Sequence, residues 1–120
     1  MNFQFDNERP IYLQVVDTLR RSIVSKQFLP GERLPSVRDL ALQAKVNPNT
    51  MQKALSELES AGLIFTERTS GKFVTRDEAA IAEARRSLAN EVARRYLHEM
   101  EGLGFSAEAA ADYLTEEADK

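Results

Sequence analysis

The sequence contains no cysteine and no tryptophan, and its only histidine is His98. Without cysteine there can be no disulfide, no thiolate metal site and no cysteine nucleophile. A single histidine, which we expect to be an exposed helix residue, offers little for metal binding or acid–base catalysis. We therefore expect neither an enzyme nor a metal or other cofactor, and the lack of cysteine suits a cytoplasmic protein.

Long apolar runs are also missing. No stretch of about 18 apolar residues occurs, so no transmembrane helix is predicted. The N-terminus, MNFQFDNERP, lacks the basic and apolar segments of a secretory signal. What remains is a chain of 120 residues that is 42% hydrophobic and 29% charged. This composition is typical of a soluble globular protein with one domain, or one small domain and an appendage.

Charge is distributed unevenly along the chain. Residues 1–76 carry eleven Lys or Arg against eight Asp or Glu, a net +3, and residues 77–120 carry five against eleven, a net −6. A basic front half indicates contact with a polyanion such as nucleic acid. Chance is the simpler explanation of so small an excess, so charge alone does not assign this function.

Apolar residues recur at helical spacing over most of the chain, which predicts several helices. Ser36 and Asn47 are suited to capping two of them, with Asp39 completing a capping box at the first. Pro48 suits the opening position of the helix after Asn47, and Gly62 suits its end. The predicted elements are an extended arm at 3–8, helices at 10–26, 36–45, 48–61, 77–101 and 106–118, a turn at 28–35 with a short strand around Arg33 and Leu34, and a β-hairpin at 63–75.

The second and third predicted helices are separated by about three residues, which is the helix-turn-helix pattern. Its packing requires a small residue in the first helix (Ala41) and apolar residues just past the turn (Val46) and inside the second helix (Met51). Many such turns have glycine where Lys45 stands, so Lys45 is expected to carry a positive φ. Helix pairs of this kind also occur in all-helical enzymes and scaffolds, so spacing alone leaves DNA binding open.

The hairpin after this helix pair completes the order of a winged helix. Arg68 and Lys72 flank its small turn, where a basic tip can reach phosphates or a minor groove. For Lys72 alone, ordinary surface charge is the simpler interpretation. The predicted fold is mainly α (α+β): a winged helix-turn-helix with a two-stranded wing over residues 1–76, and a two-helix dimerisation tail over residues 77–120.

The helix that begins at Pro48 has polar side chains on its outward face. If its apolar residues point inward, Asn49, Thr50, Gln52 and Lys53 face solvent at the N-terminal turns. Asn and Gln can form paired hydrogen bonds with an adenine edge, a Thr methyl can pack on thymine, and free N–H groups attract phosphate. We interpret this face as a base-reading surface, whereas Asn47 is interpreted mainly as a cap.

Three segments together resemble the GntR family of bacterial transcriptional regulators: FDNERPIYLQVVDTLRRSI, LPGERLPSVRDLALQAKVNPNTMQKALSELESAGLI and ERTSGKFV. The short two-helix tail resembles the YtrA subfamily. The resemblance implies a homodimer that binds a pseudo-palindromic operator on double-stranded DNA, usually represses, and is often tied to transporter genes.

The resemblance also implies the DNA-contacting positions. Arg38 stands at the family's second-helix arginine, whereas Pro48 and Gln52 replace arginines that some members carry early in the recognition helix. A different operator sequence is therefore expected. The predicted DNA-binding residues are Ser36, Arg38, Asn47, Asn49, Thr50, Gln52, Lys53, Arg68, Ser70, Gly71 and Lys72.

The tail is too short to bury much apolar surface alone. Its stripe either folds back on the helix at 10–26 or pairs with a second subunit, which would space two recognition helices by about one DNA turn, ~34 Å. An unknown small-molecule effector between the tail helices stays open, as does a winged-helix protein–protein interaction module without DNA binding. The predicted dimerisation residues are Ile81, Leu88, Val92, Tyr96, Met100, Tyr113 and Leu114.

Overall fold

The computed structural model describes residues 1–120. The chain forms two compact units, Met1–Arg85 and Arg86–Lys120. The structure confirms the predicted fold class, since five helices and one two-stranded antiparallel sheet follow the predicted order. None of the helices is both long enough and apolar enough to span a bilayer. The elements are α1 (Ile11–Val24), α2 (Val37–Ala44), α3 (Pro48–Ser60), β1 (Ile64–Glu67), β2 (Gly71–Val74), α4 (Glu78–Gly102) and α5 (Ala107–Ala118).

The first unit is built around one apolar core to which α1, α2, α3 and the hairpin all contribute. Each helix presents a stripe of apolar side chains at helical spacing, so burial of these stripes against one another excludes water from the centre. The start of α4 belongs to this unit, because Ile81 is buried and Glu78 Oε1 lies 2.6 Å from Lys26 Nζ. The most buried large side chains are Val15, Leu19, Ile23, Leu40, Met51, Leu55, Leu58, Val74 and Ile81.

The turn between α2 and α3 is fixed by backbone hydrogen bonds. Lys45 adopts the left-handed conformation, with φ 58° and ψ 45°, as the helix-turn-helix pattern predicts. Its N–H donates to Leu42 O, and the Val46 N–H donates to Ala41 O. This pair of bonds is a Schellman motif, which reverses the chain in one residue and places α3 across α2.

Both ends of α3 are specified by the sequence. Asn47 Oδ1 accepts a hydrogen bond of 2.7 Å from the Asn49 N–H, and Pro48 occupies the first helical position. Gly62, with φ 79°, ends the helix in a second Schellman motif. At α2, Ser36 Oγ accepts from the Asp39 N–H at 3.1 Å. The reciprocal bond of the predicted capping box, from the Ser36 N–H to the Asp39 carboxylate, does not form.

The wing contains slightly more than the two predicted strands. Its strands pair in antiparallel register, with Phe65 opposite Phe73 and the two rings stacked 5.5 Å apart. Arg33 forms a single bridge to Phe73, and the Leu34 N–H donates to Lys72 O at 2.8 Å. The segment around Arg33 therefore pairs with β2, in line with the short strand predicted there.

The N-terminal arm is held against α1 by one buried amide. Gln14 is almost completely buried, and its Oε1 accepts from the Asp6 N–H at 2.9 Å. Its Nε2 donates to Asp6 O at 3.0 Å and to Arg9 O at 2.9 Å. The side chain thus satisfies its hydrogen-bonding capacity inside the protein, as a buried polar group must.

The second unit comprises most of α4 together with α5. Gly104, with φ 96°, and Phe105 end α4 in a third Schellman motif, and Ser106 Oγ caps α5 through the Ala109 N–H. Tyr96 donates its hydroxyl to Ala110 O at 2.8 Å. The Phe105 ring packs edge-on against Tyr113, with 5.7 Å between ring centroids.

Candidate nucleic-acid interface

The N-terminal turns of α3 present polar side chains to solvent. Asn49, Gln52 and Lys53 are exposed and Thr50 is half-buried, whereas Met51 is fully buried on the opposite side of the helix. Their backbone positions are fixed by the Asn47 cap and the preceding turn. A rigid helix therefore displays amide, hydroxyl and ammonium groups side by side, which is the arrangement that reading base edges requires.

Lys53 is exposed, but its side chain contacts an aromatic ring. Its Nζ lies 3.8 Å from the ring centroid of Tyr12, on α1. A cation over an aromatic face gains about 0.5–1 kcal/mol at an exposed site. The ring thus favours one direction for the lysine while leaving its ammonium hydrogens available to a further acceptor.

Gln52 begins a polar stripe that runs along α3. Its Nε2 lies 3.4 Å from Ser56 Oγ, four residues later, and Glu59 follows three residues after Ser56. Gln52, Ser56, Glu59 and Lys72 line one open surface groove. The stripe therefore leads from the predicted reading surface of α3 to the wing.

The predicted DNA-binding residues on α2 and at the α3 cap differ in whether their side chains already form hydrogen bonds within the protein. Ser36 and Asn47 are exposed, but each uses a side-chain oxygen to cap its helix. Arg38 is exposed on the first turn of α2 and forms no ion pair with the chain. Arg38 is consequently the residue of these three with its full donor set available to an outside partner.

The predicted wing residues fall into two groups. Arg68 and Ser70 are exposed in the turn, and Gly71 has φ 108°, which a side chain at this position would strain. Lys72 instead points back toward α3, where its Nζ lies 2.8 Å from Thr66 Oγ1 and 3.4 Å from Glu59 Oε1. Its side chain is only 18% exposed, so the free positive charge of the wing turn is that of Arg68.

Arg33 is a cation near the wing that the sequence-based prediction missed. A Cβ built on Gly71 would come within 3.3 Å of Arg33 Nε, so the guanidinium lies directly against the glycine. Arg33 is exposed, and its backbone forms a single bridge to Phe73 of the hairpin. The predicted short strand at 33–34 was a signal for this pairing, but its partner could not be read from the sequence.

The predicted dimerisation residues are not equally accessible. Ile81, Leu88 and Met100 are buried within the single chain, and Tyr96 is half-buried with its hydroxyl bonded. Val92, Tyr113 and Leu114 are exposed, by 44%, 41% and 51%. Among the predicted residues, only these three expose a large apolar side chain that a second subunit could cover. His98 is exposed on α4.

Comparison with known proteins gives consistent results for sequence and structure. Residues 11–74 match the family described as bacterial regulatory proteins, gntR family. The HTH-type transcriptional regulator YhcF of Bacillus subtilis is 41% identical over 108 residues, covering 90% of this chain and 89% of that protein. The HTH-type transcriptional repressor YtrA of the same organism is 30% identical over 108 residues, covering 89% and 83%.

Solved structures resemble both the whole chain and its first unit. A GntR family transcriptional regulator from Listeria monocytogenes superimposes with a TM-score of 0.85 at 35% identity, covering 93% of this chain and 98% of the other. The DNA-binding domain of AraR, solved in complex with operator ORX1, superimposes with a TM-score of 0.57 at 28% identity, covering 60% and 93%.

The family match covers more than half of the chain and includes the α2–α3 pair and the wing described above. The relatives that share nearly the whole length are transcriptional regulators, YtrA among them, and not enzymes. This chain therefore belongs to the gntR family of bacterial regulatory proteins and is a transcriptional regulator similar to YtrA.

Proposed function

We propose that this protein is a homodimeric, sequence-specific DNA-binding repressor of a small operon, such as a transporter operon, and that it acts in the cytoplasm. In this proposal α3 enters the major groove, and the wing lies along the minor groove or the backbone. Each subunit binds one half of a pseudo-palindromic operator. Repression follows if the bound dimer covers DNA that RNA polymerase needs.

The single observation that carries the proposal is the exposed polar start of α3. Asn49 and Gln52 offer amide groups that can each pair with an adenine edge, and Thr50 offers a methyl group for thymine. All three stand on a helix whose N-terminus is fixed by a cap and a tight turn. The operator complex of the similar AraR domain supports the same role for this fold.

Backbone contacts are assigned to the exposed cations around this helix. Arg38, Arg68 and Lys53 are exposed on α2, in the wing turn and on α3. A guanidinium can hold a phosphate with two parallel hydrogen bonds, which positions the protein without reading sequence. Affinity from these residues should weaken steeply as salt rises, because bound phosphates release their counterions.

Dimerisation is assigned to the second unit. Besides Val92, Tyr113 and Leu114, the exposed apolar residues there include Leu97 and Leu103, the latter 74% exposed. Large apolar side chains left in water on so short a unit favour burial against a second copy. An effector that alters the dimer is compatible with this arrangement, but no residue specifies its chemistry.

The experiment is selection of bound duplexes from a random pool, followed by titration of the winner and of a scrambled duplex at several salt concentrations. We expect an inverted repeat, bound about 10³-fold or more tightly than the scrambled duplex. Equal binding of all duplexes would reject the proposal. Binding of none, together with a stable complex with another protein, would favour an interaction module instead.

A further inference from the structure

A three-residue polar cluster joins the far end of the recognition helix to the wing. Glu59 lies in the last turn of α3, Thr66 on β1 and Lys72 on β2. Thr66 and Lys72 are directly opposite each other in the hairpin register. The Thr66 hydroxyl donates to Glu59 Oε1 at 2.7 Å, and Lys72 Nζ donates to Thr66 Oγ1 at 2.8 Å and lies 3.4 Å from Glu59 Oε1.

The position of Glu59 makes this arrangement unusual for a DNA-binding surface. Glu59 follows Gln52 and Ser56 along the polar stripe of α3, so its carboxylate lies on the side proposed to face DNA. An unpaired carboxylate there would repel phosphate. Lys72 neutralises it, and in turn Glu59 removes most of the attraction that Lys72 would have for the backbone.

We propose that Glu59 is a positioning residue that fixes the wing on α3 and withholds the charge of Lys72 from DNA. Glu59 thereby limits the charge-driven affinity that the protein has for any duplex, whatever its sequence. This inference rests on the proposed DNA-binding function. No DNA contact by Glu59 itself is involved.

The physical basis is the bonding of both strands to one carboxylate oxygen. A two-stranded hairpin is marginally stable alone, so side-chain bonds to α3 add to the backbone pairing of β2 with the segment around Arg33. Glu59 Oε1 receives one hydrogen bond from β1 and one ion pair from β2, so the angle between the hairpin and α3 is set at both strands. The hydrogen bond from Thr66 and the charge of Lys72 also hold the pKa of Glu59 below its ordinary value.

The test compares Glu59→Gln with Glu57→Gln on the selected operator and on a scrambled duplex. Glu57 is exposed on the same helix and forms no ion pair, so its change matches the loss of charge without touching the cluster. For Glu59→Gln we expect about two- to fivefold tighter binding of the scrambled duplex. The slope of log affinity against log salt concentration (the salt slope) should be steeper by about 0.9, the value for one added phosphate contact. The operator should gain by the same factor, because a contact with phosphate does not depend on sequence.

Two further measurements keep the outcome clear. Adding Lys72→Gln to Glu59→Gln should return the salt slope to that of the wild type. In the free protein, backbone NMR order parameters of residues 68–71 should fall in Glu59→Ala, which removes the shared acceptor oxygen, and stay unchanged in Glu57→Ala.

The results separate this inference from the function on which it rests. If the wild type prefers no duplex, the proposed function fails, whereas the order parameters still report whether Glu59 holds the wing. If the wild type binds its operator but Glu59→Gln and Glu57→Gln have the same salt slope, and Glu59→Ala keeps the wing order of the wild type, Glu59 does not act as proposed.

Discussion

Single residues decide the path of the helix-turn-helix. Lys45 adopts positive φ because the turn needs a left-handed residue, and a side chain there costs about 1–2 kcal/mol. Lys45→Gly should raise the free energy of unfolding by about 0.5–1 kcal/mol, since part of the relieved strain is offset by glycine's greater freedom when unfolded. Urea unfolding measures this. Gln43→Gly, exposed inside α2, should instead lower stability by about 1 kcal/mol; equal effects of both changes would contradict this reasoning.

Arg38 is exposed on α2 and forms no ion pair within the chain. If its free guanidinium holds phosphate, Arg38→Ala should weaken binding to the operator and to a scrambled duplex by the same factor. The salt slope should become shallower by about 0.9. Fluorescence anisotropy titrations at several salt concentrations provide both values. A loss confined to the operator would show that Arg38 reads a base.

Contacts of single residues differ in how well the sequence predicts them. The left-handed Lys45 and the Asn47 cap were predictable, because both depend on neighbours along the chain. The partners of Lys72 and the arm contacts of Gln14 were not, because they join residues that are distant in sequence or lie outside regular elements. Composition and periodicity do not specify which residues such side chains contact.

Elements were predicted more completely than contacts between them. Every predicted helix exists with its ends shifted by at most two residues, since apolar spacing, caps and glycines mark them locally. The third strand segment at Arg33 depends on pairing with Phe73, for which the sequence gives no partner. The predicted DNA-contacting residues remain predictions, and the structure adds their bonding state.

The junction between α3 and the wing should respond to pH. The pKa of Glu59 is lowered from about 4.5, chiefly by the hydrogen bond from Thr66. A carboxyl group with a lowered pKa stabilises the folded state above its unfolded pKa and loses this effect as pH falls through the folded value. The difference in unfolding free energy between wild type and Glu59→Gln should therefore be constant near neutrality and shrink below about pH 4.5. Urea titrations across pH test this, and a difference that stays the same from neutral pH through the acid range would contradict it.

For the molecule as a whole, the proposed role of the tail is to couple two DNA-binding units. Leu114 is 51% exposed on α5, so Leu114→Glu should remove the dimer without unfolding the chain, because a buried charge is costly only in the interface. Sedimentation equilibrium should give a dimer for the wild type and a monomer for Leu114→Glu. Leu29→Glu, at a residue 57% exposed in the first unit, should remain a dimer. A monomeric wild type, or a dimeric Leu114→Glu, would contradict the assignment.

The sequence predicted one apolar stripe for the tail, but not which of its residues are buried within one chain and which stay exposed. Ile81, Leu88 and Met100 are already buried in one chain, whereas Val92 and Leu114 remain exposed. Helical periodicity identifies a face, but it does not distinguish packing within a subunit from packing between subunits. Dimerisation therefore remains a proposal supported by exposure.

The most direct test of base reading by α3 is a base-by-base scan of the selected operator, with all four base pairs at each position of a half-site. The scan compares the wild type with Gln52→Ala and Gln43→Ala. We expect Gln52→Ala to lose about 1–3 kcal/mol of base preference at one position and to keep the others, whereas Gln43→Ala should match the wild type. If Gln52→Ala keeps every base preference of the wild type, or weakens all sequences alike, the outward face of α3 does not read bases at this residue.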